Sequence, residues 1–141
     1  MIRKVDIPNK LPLTLTIEQR IETLLRTTLS TIELLNDNIY PLFVHESVKP
    51  PYLVYSLVDG TYLKTLDGEQ PWDFNYEVSI LASRYEQLKV LEQSVREALL
   101  TLKGGVIGKF AIQDIEVSVP IETYEDKVNL QRANIELTIK F

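Results

Sequence analysis

Two stretches of this chain alternate strictly between apolar and polar residues, and this period of two most constrains its fold. In residues 74–80 the apolar positions are Phe74, Tyr76, Val78 and Ile80. In residues 133–141 they are Ala133, Ile135, Leu137, Ile139 and Phe141. Because successive side chains of a strand point to opposite faces, each stretch predicts a strand with one buried and one polar face. The buried faces must be covered by another layer.

A first amphipathic helix is predicted before these strands. Thr16 suits an N-cap, and Gln19 three residues later completes a capping box. Apolar residues then recur at helical spacing as far as Leu35. The turn-forming residues 36–38, Asn-Asp-Asn, end the segment.

A second helix is predicted between the two alternating stretches. Ser83 and Glu86 have the spacing of a capping box, and apolar residues recur at helical spacing from Leu88 to Leu102. Glu92 and Arg96 are spaced to form a favourable i,i+4 pair. The glycines at 104 and 105 end this helix.

Further strands complete the predicted order. Residues 39–44 form a short strand that Pro41 restricts to a sheet edge, residues 52–58 form the next, and two more cover roughly 110–119 and 130–141. The order predicts an α+β fold: a mostly antiparallel β-sheet with a long hairpin or loop arm, packed by two α-helices. We expect one domain over 1–141, with residues 1–15 as an extended N-terminal arm because they contain Pro8 and Pro12.

The composition restricts the classes of function. The chain of 141 residues has no cysteine and a net charge of −5. Disulfides and thiolate chemistry are therefore excluded. The sequence also has no cluster of Lys and Arg that would bind nucleic acid independently of its sequence. Neither a secretory signal nor an apolar run of membrane-spanning length occurs, so we expect a soluble protein made in a cytoplasm, with no membrane contact.

Motifs for catalysis are weak. His45 is the single histidine, which leaves no second histidine for a metal site. The segment 103–109, KGGVIGK, has Lys103 where a phosphate loop needs glycine, and it follows a helix instead of a strand. We therefore expect no enzyme activity, no cofactor and no metal. The alternative is a small hydrolase or isomerase that uses Asp59, Asp67 or His45, which requires a pocket around them.

The most informative segment is the connection 59–73. It contains two Asp-Gly pairs, Asp59-Gly60 and Asp67-Gly68, and the further carboxylates Glu69 and Asp73. Asp and Gly are typical of turns, so shaping the chain is favoured over acid–base chemistry. The connection is too long for an ordinary hairpin loop, and it carries the apolar residues Tyr62, Leu63, Leu66 and Trp72. They either fold back on the domain as an extended hairpin arm or contact another subunit.

A series of short segments, in order, resembles a known family. The segments are Ile-Tyr-Pro at 39–41, Pro-Tyr-Leu-Val-Tyr at 51–55, Leu-Asp-Gly at 66–68, the pattern x-V-x-I-x-A at 77–82, Tyr-Glu-Gln-Leu-Lys-Val-Leu at 85–91 and Val-Arg-Glu-Ala-Leu at 95–99. This series resembles the tail-completion, or tail-terminator, family of long-tailed bacteriophages and prophages. The similarity covers roughly residues 17–102.

The resemblance implies an α+β subunit that assembles as a homo-oligomer, usually a six-membered ring, at the head-proximal end of the tail tube. Such a ring stops tube polymerisation, contacts the tail tube protein and the head–tail connector protein, and lets DNA pass through its lumen without specific binding. It implies a location in the virion tail. Another tail or connector ring component is an alternative, as is a small monomeric binding module.

A closed ring needs two different complementary patches on each subunit. The connection 59–73 is the predicted source of one patch, and the final strand leaves a terminus for a neighbour. The predicted interface residues are Asp59, Gly60, Tyr62, Leu63, Leu66, Asp67, Gly68, Trp72 and Phe141.

Overall fold

The computed structural model describes residues 16–44 and 48–141 of the chain. Two α-helices are present in these residues, α1 (Ile17–Leu29) and α2 (Tyr85–Leu100), and a 3₁₀ helix spans Glu33–Leu35. The strands are β1 (Ile39–Pro41), β2 (Tyr52–Thr65), β3 (Gly68–Ala82), β4 (Val106–Ile107), β5 (Phe110–Ala111), β6 (Asp114–Val117), β7 (Ile121–Glu125) and β8 (Leu130–Lys140). The predicted N-terminal arm, residues 1–15, and the candidate His45 lie outside the described residues.

The predicted capping box at the start of α1 is confirmed. The Thr16 hydroxyl accepts a hydrogen bond from the Gln19 backbone N–H, and the Gln19 side chain accepts one from the Thr16 N–H. The helix ends at Leu29, earlier than predicted. The hydroxyls of Ser30 and Thr31 donate to backbone carbonyls of the last turn, which competes with continuation of the helix.

Two details predicted for α2 are wrong. Its N-cap is Arg84, which makes no side-chain capping bond, so Ser83 and Glu86 do not form a capping box. Glu92 pairs with Lys89 at 3.0 Å, not with Arg96. The Arg96 guanidinium instead donates to the backbone carbonyl of Val117 at 3.1 Å, and this bond connects α2 to β6.

One six-stranded sheet forms the centre of the molecule, in the order β1-β2-β3-β8-β6, with β7 also paired to β8. The neighbours β2, β3 and β8 are antiparallel, whereas the short β1 lies parallel to β2 at the edge, where Pro41 was predicted. The fold class α+β, mostly antiparallel with two helices, is confirmed.

The predicted strand 110–119 is wrong in its extent. The chain forms β5, then β6, and after Pro120 an additional strand, β7, which the sequence analysis missed. Proline has no N–H for a ladder bond, which fits its position in the break between β6 and β7. Residues 103–109 contain a turn: Gly108 has φ +62 between β4 and β5, which pair as a small hairpin.

Both helices cover one face of the sheet. The buried core consists of residues from both helices and from alternate positions of the strands, including Leu25, Leu91, Tyr55, Tyr76 and Ile135. The opposite face of β3 and β8 is polar over most of its length, as the alternation predicted. Among the described residues, no helix is long and apolar enough to cross a membrane.

Candidate oligomer interface

The connection 59–73 continues the β2–β3 hairpin instead of forming a loop. Backbone pairing runs from Tyr52↔Leu81 to Thr65↔Gly68 at the tip. The neighbouring strand β8 stops pairing with β3 at Asp73↔Lys140, so beyond this point the described part of the sheet consists of the two strands of the hairpin. We call residues 59–73 the arm. Of the two sequence-based alternatives, the extended hairpin is therefore the geometry adopted, and it leaves contact with another subunit possible for the arm's exposed side chains.

The first Asp-Gly pair is not a turn, contrary to the prediction. Asp59 and Gly60 lie within β2, between two irregularities of the register at Leu57/Asp59 and Gly60/Tyr62. The Asp59 carboxylate accepts a hydrogen bond from the Asn75 side chain across the strands. Gly60 lies directly under the Phe74 ring, where a Cβ atom would be 2.6 Å from Phe74 Cε2. Gly60 is therefore required by close approach of the backbone to an aromatic ring.

The second Asp-Gly pair is a turn, as predicted. Leu66 and Asp67 connect the paired residues Thr65 and Gly68. Gly68 has φ +109, a conformation that strains residues with a Cβ atom. The Thr65 hydroxyl donates to the Gly68 carbonyl at 2.8 Å. The arm therefore ends in a defined tip with Leu66 at its apex.

Large apolar side chains of the arm are exposed. Leu66 is 107% exposed, Trp72 50% and Leu63 45%. A two-stranded hairpin is marginally stable in water without packing against another layer, and contiguous apolar exposure often marks a contact surface. These residues, with Val58 at the base of the arm, form the candidate interface.

Tyr62 attaches the arm to the domain. Its hydroxyl donates to Glu18 Oε1 of α1 at 2.9 Å, and its ring contacts Phe74 edge-on with centroids 5.4 Å apart. Burial, followed by the bond to Glu18, raises the pKa of Tyr62 to about 12, so the hydroxyl stays protonated and donates at neutral pH. Tyr62, predicted as an interface residue, thus has an internal contact that fixes the arm's direction.

Phe141 closes the base of the arm. Its ring is 6.1 Å from that of Phe74, and its backbone N–H donates to the Trp72 carbonyl at 2.8 Å. The strand β8 ends at Lys140, so the prediction that the strand includes Phe141 is wrong by one residue. Phe141 is half-buried and packs against the core, which leaves only part of its ring for a neighbour.

The carboxylates of the arm are spread along it. Asp59 is bonded to Asn75 near the base, and Asp67 is in the turn at the tip. Asp67 and Glu69 line an open groove that also contains Lys109 and Phe110 of the β4–β5 hairpin. In the described part of the chain, no group of three or more His, Cys, Asp or Glu residues could hold a metal ion.

The sequence analysis missed that the β4–β5 hairpin lies beside the arm. A cavity of about 200 Å³ separates them, lined by Trp72 and Gln70 of the arm, Phe110 and Lys109 of the hairpin, and Phe141. The glycines at 104, 105 and 108 were the available signal for a tight hairpin here, but strands of two residues have no detectable period.

Comparisons with known proteins give a likeness of fold. No protein-family model matches the chain, and no curated protein matches it in sequence. A chain from the virion of a native gene transfer agent (GTA) particle superposes with a TM-score of 0.54 at 13% identity, covering 88% of this chain and 90% of that chain. A second solved chain gives a TM-score of 0.44 at 15% identity, over 85% of this chain and 96% of that chain. This TM-score is too low to support a conclusion about the fold. The first likeness shows that the two chains share a fold.

Proposed function

We propose that this chain is a structural protein of virion assembly, a tail terminator, which acts through the ring that its copies form. In this proposal, copies form a closed ring, six-membered in the family it resembles, at the head-proximal end of the tail tube. The ring stops tube polymerisation and provides the surface for the head–tail connector. The role is structural, without catalysis or cofactor.

The observation that carries the proposal is the fold likeness to a virion component, which extends over nearly the whole of both chains. The arm supports it independently, because a hairpin that is bonded to α1 and has exposed apolar residues suits contact between subunits. A net charge of −5 is compatible with a lumen through which DNA passes, since like charge does not retain phosphate.

A likeness of fold does not separate the rings of a tail from one another. The second candidate is therefore another ring component, such as a tube subunit or part of the connector. The two candidates differ in copy number, because a terminator forms one ring per particle whereas a tube protein forms many.

The test is to add the purified chain to polymerising tail tube protein from the same phage or prophage. A terminator stops elongation, and electron microscopy with quantitative mass spectrometry shows one ring at one end of each tube. Incorporation along the whole tube would assign the chain to the tube, and binding to connector complexes without any effect on elongation would assign it to the connector. A chain that stays monomeric and binds neither is a separate binding module.

The arm provides the matched control for this test. Trp72→Ala, or a deletion within 61–70, is expected to abolish capping while the isolated subunit keeps its circular dichroism spectrum. Val119→Ala changes another exposed apolar side chain, located between β6 and β7, and is expected to cap tubes normally. Normal capping by both arm variants would remove the arm from the interface.

A further inference from the structure

The arm tip has an unusual combination of side chains for an exposed turn. Leu66 has no part of its side chain covered, and the neighbouring residue Asp67 carries a negative charge. Glu69, on the return strand, adds a second carboxylate. Asp67 makes no ion pair within the described residues. A complementary surface therefore needs an apolar recess beside a positive charge.

A cavity and a groove of the described structure each combine an apolar lining with a single positive charge. In the cavity between the arm and the β4–β5 hairpin the charge is Lys109, which also borders Asp67 and Glu69 of its own arm, so like charge opposes a second acidic tip there. The groove has no carboxylate in its lining. It lies between α1 and β4 and has a volume of about 280 Å³, large enough for a leucyl side chain. Its lining includes the apolar Leu24, Val106 and Ile107, the hydroxyl residues Thr23 and Thr27, and a single charged residue, Arg20. Val106 is 62% exposed, and Arg20 makes no ion pair with any described residue.

A second groove is less suitable. It lies between the residues that follow α1 and the second half of α2, where Ile32, Leu34 and Ala98 contribute apolar surface. Its charged residues are Glu33 and Glu97. Like charges across an interface oppose association, so the acidic tip is repelled there. Charge complementarity selects the groove that contains Arg20.

Docking by side chains is also favoured over pairing of sheet edges. Among the described residues, no strand pairs with the outer edge of β2 along the arm, but two register irregularities interrupt this edge at Leu57/Asp59 and Gly60/Tyr62. Bulges and charged residues are the usual means by which an edge strand avoids pairing with another chain. The arm therefore presents its side chains, not its backbone, to a partner.

We infer that the arm tip of one copy inserts Leu66 into the α1–β4 groove of the next copy, with Asp67 beside Arg20. The occupant comes from another copy because Leu66 is fully exposed on its own subunit, while the Tyr62–Glu18 bond holds the arm in place. Tip and groove are different surfaces, so the contact is head-to-tail and can close a ring. The inference rests on the ring proposed above and assigns its second patch.

The absence of cysteine permits a direct test by disulfide trapping. The double variant Leu66→Cys/Thr23→Cys is oxidised at a concentration where native mass spectrometry shows the ring. Disulfides form only where the two Cα atoms approach within roughly 7 Å. We expect a ladder of covalent species that ends at the size of the closed ring. Each single variant forms at most dimers, and the matched control Leu66→Cys/Ser94→Cys, directed at the second groove, forms no ladder.

The other outcomes overturn the inference in distinguishable ways. A ladder from the Ser94 control alone moves the tip to the second groove. A disulfide within one chain shows that the tip reaches its own groove. A native ring without cross-links removes this contact but leaves the ring intact, whereas the lack of both ring and cross-links contradicts the proposed function as well.

Charge exchange provides a second readout. Asp67→Arg and Arg20→Glu are each expected to weaken association between copies about fivefold, as for a partly exposed ion pair. The double variant restores association if the two residues face each other across the interface. Additive losses in the double variant would show that Asp67 and Arg20 do not meet.

Discussion

The two halves of the β2–β3 hairpin have the same backbone pairing but opposite surroundings. In the half that contains Leu53, Tyr55, Val78 and Ile80, the helices cover one face and β8 pairs with β3, so these side chains are fully or almost fully buried. In the arm, the same ladder continues beyond the end of β8, and the bond from Tyr62 to Glu18 connects it to α1. Leu63, Leu66 and Trp72 are exposed there.

This difference shows that strand pairing and burial are separate properties of the hairpin. The arm keeps its shape through the turn at Gly68, the ring of Phe74 above Gly60 and the bond from Tyr62 to Glu18. Its apolar residues therefore add little to the stability of the monomer. They are available to stabilise contact with another chain.

We expect the largest loss in the free energy of unfolding from a substitution in the core just below the arm. Phe74→Ala removes a fully buried ring that contacts both Tyr62 and Phe141, so the free energy of unfolding should fall by about 3–5 kcal/mol. Trp72→Ala is the matched control two residues away, on a half-exposed ring, and should lower it by about 1 kcal/mol or less. Urea denaturation measures both. Similar losses would contradict the separation of core and arm.

We expect a smaller loss in the free energy of unfolding from a substitution at Gly60, where the backbone passes under the Phe74 ring. Gly60→Ala places a Cβ atom 2.6 Å from the ring and should destabilise the fold by about 1–3 kcal/mol through overpacking. In a Phe74→Leu background the clash is relieved, so Gly60→Ala should have a smaller effect there. A double-mutant cycle measures this coupling, and strictly additive effects would show that Gly60 is not held by the ring.

Tyr62→Phe should lower the free energy of unfolding by a still smaller amount. It keeps the ring on Phe74 but removes the bond to Glu18, which we expect to stabilise the half-exposed site by about 0.5–1 kcal/mol. Amide hydrogen exchange of the arm should accelerate while that of β8 does not. Equal protection in both proteins would show that the bond does not hold the arm.

The surroundings of Tyr62 predict a dependence on pH. Burial, followed by the bond to Glu18, raises the pKa of Tyr62 from 10.0 to about 12 in the folded protein, so the stabilising contribution of the protonated hydroxyl is complete below pH 10 and is lost as the pH rises through 12. An absorbance titration of tyrosinate should lack one component near pH 12 in the Tyr62→Phe variant. A component that titrates near pH 10 instead would contradict the assigned contact.

The sequence predicted the parts of the fold that have a clear period. The alternation at 74–80 and 133–141 correctly indicated two central strands, and helical spacing indicated both helices. It could not indicate that Asp59-Gly60 lies within a strand, because the reason is the Phe74 ring, which contacts Gly60 only in the folded sheet. The strand β7 was missed because its exposed sequence, Ile-Glu-Thr-Tyr-Glu, has no buried face that would show a pattern.

The sequence also indicated only those features of the candidate site that depend on a local pattern. Leu63, Leu66 and Trp72 were predicted as interface residues because they are apolar residues in a polar connection, and in the structure they are exposed. The internal bond of Tyr62 and the half-buried position of Phe141 depend on contacts with residues distant in the chain, Glu18 and Phe74. The α1–β4 groove was not predictable, since it combines residues 20–27 with residues 106–108.

Native mass spectrometry across a range of concentrations tests the central claim most directly, namely that the exposed half of the hairpin joins copies of this chain. The unmodified chain is compared with Leu63→Ser/Leu66→Ser, which should change the free energy of unfolding by less than about 0.5 kcal/mol because both side chains are on the surface. We predict a closed ring for the unmodified chain and a folded monomer for the variant. A ring of equal stability in the variant, or a monomer at every concentration for the unmodified chain, would contradict this claim.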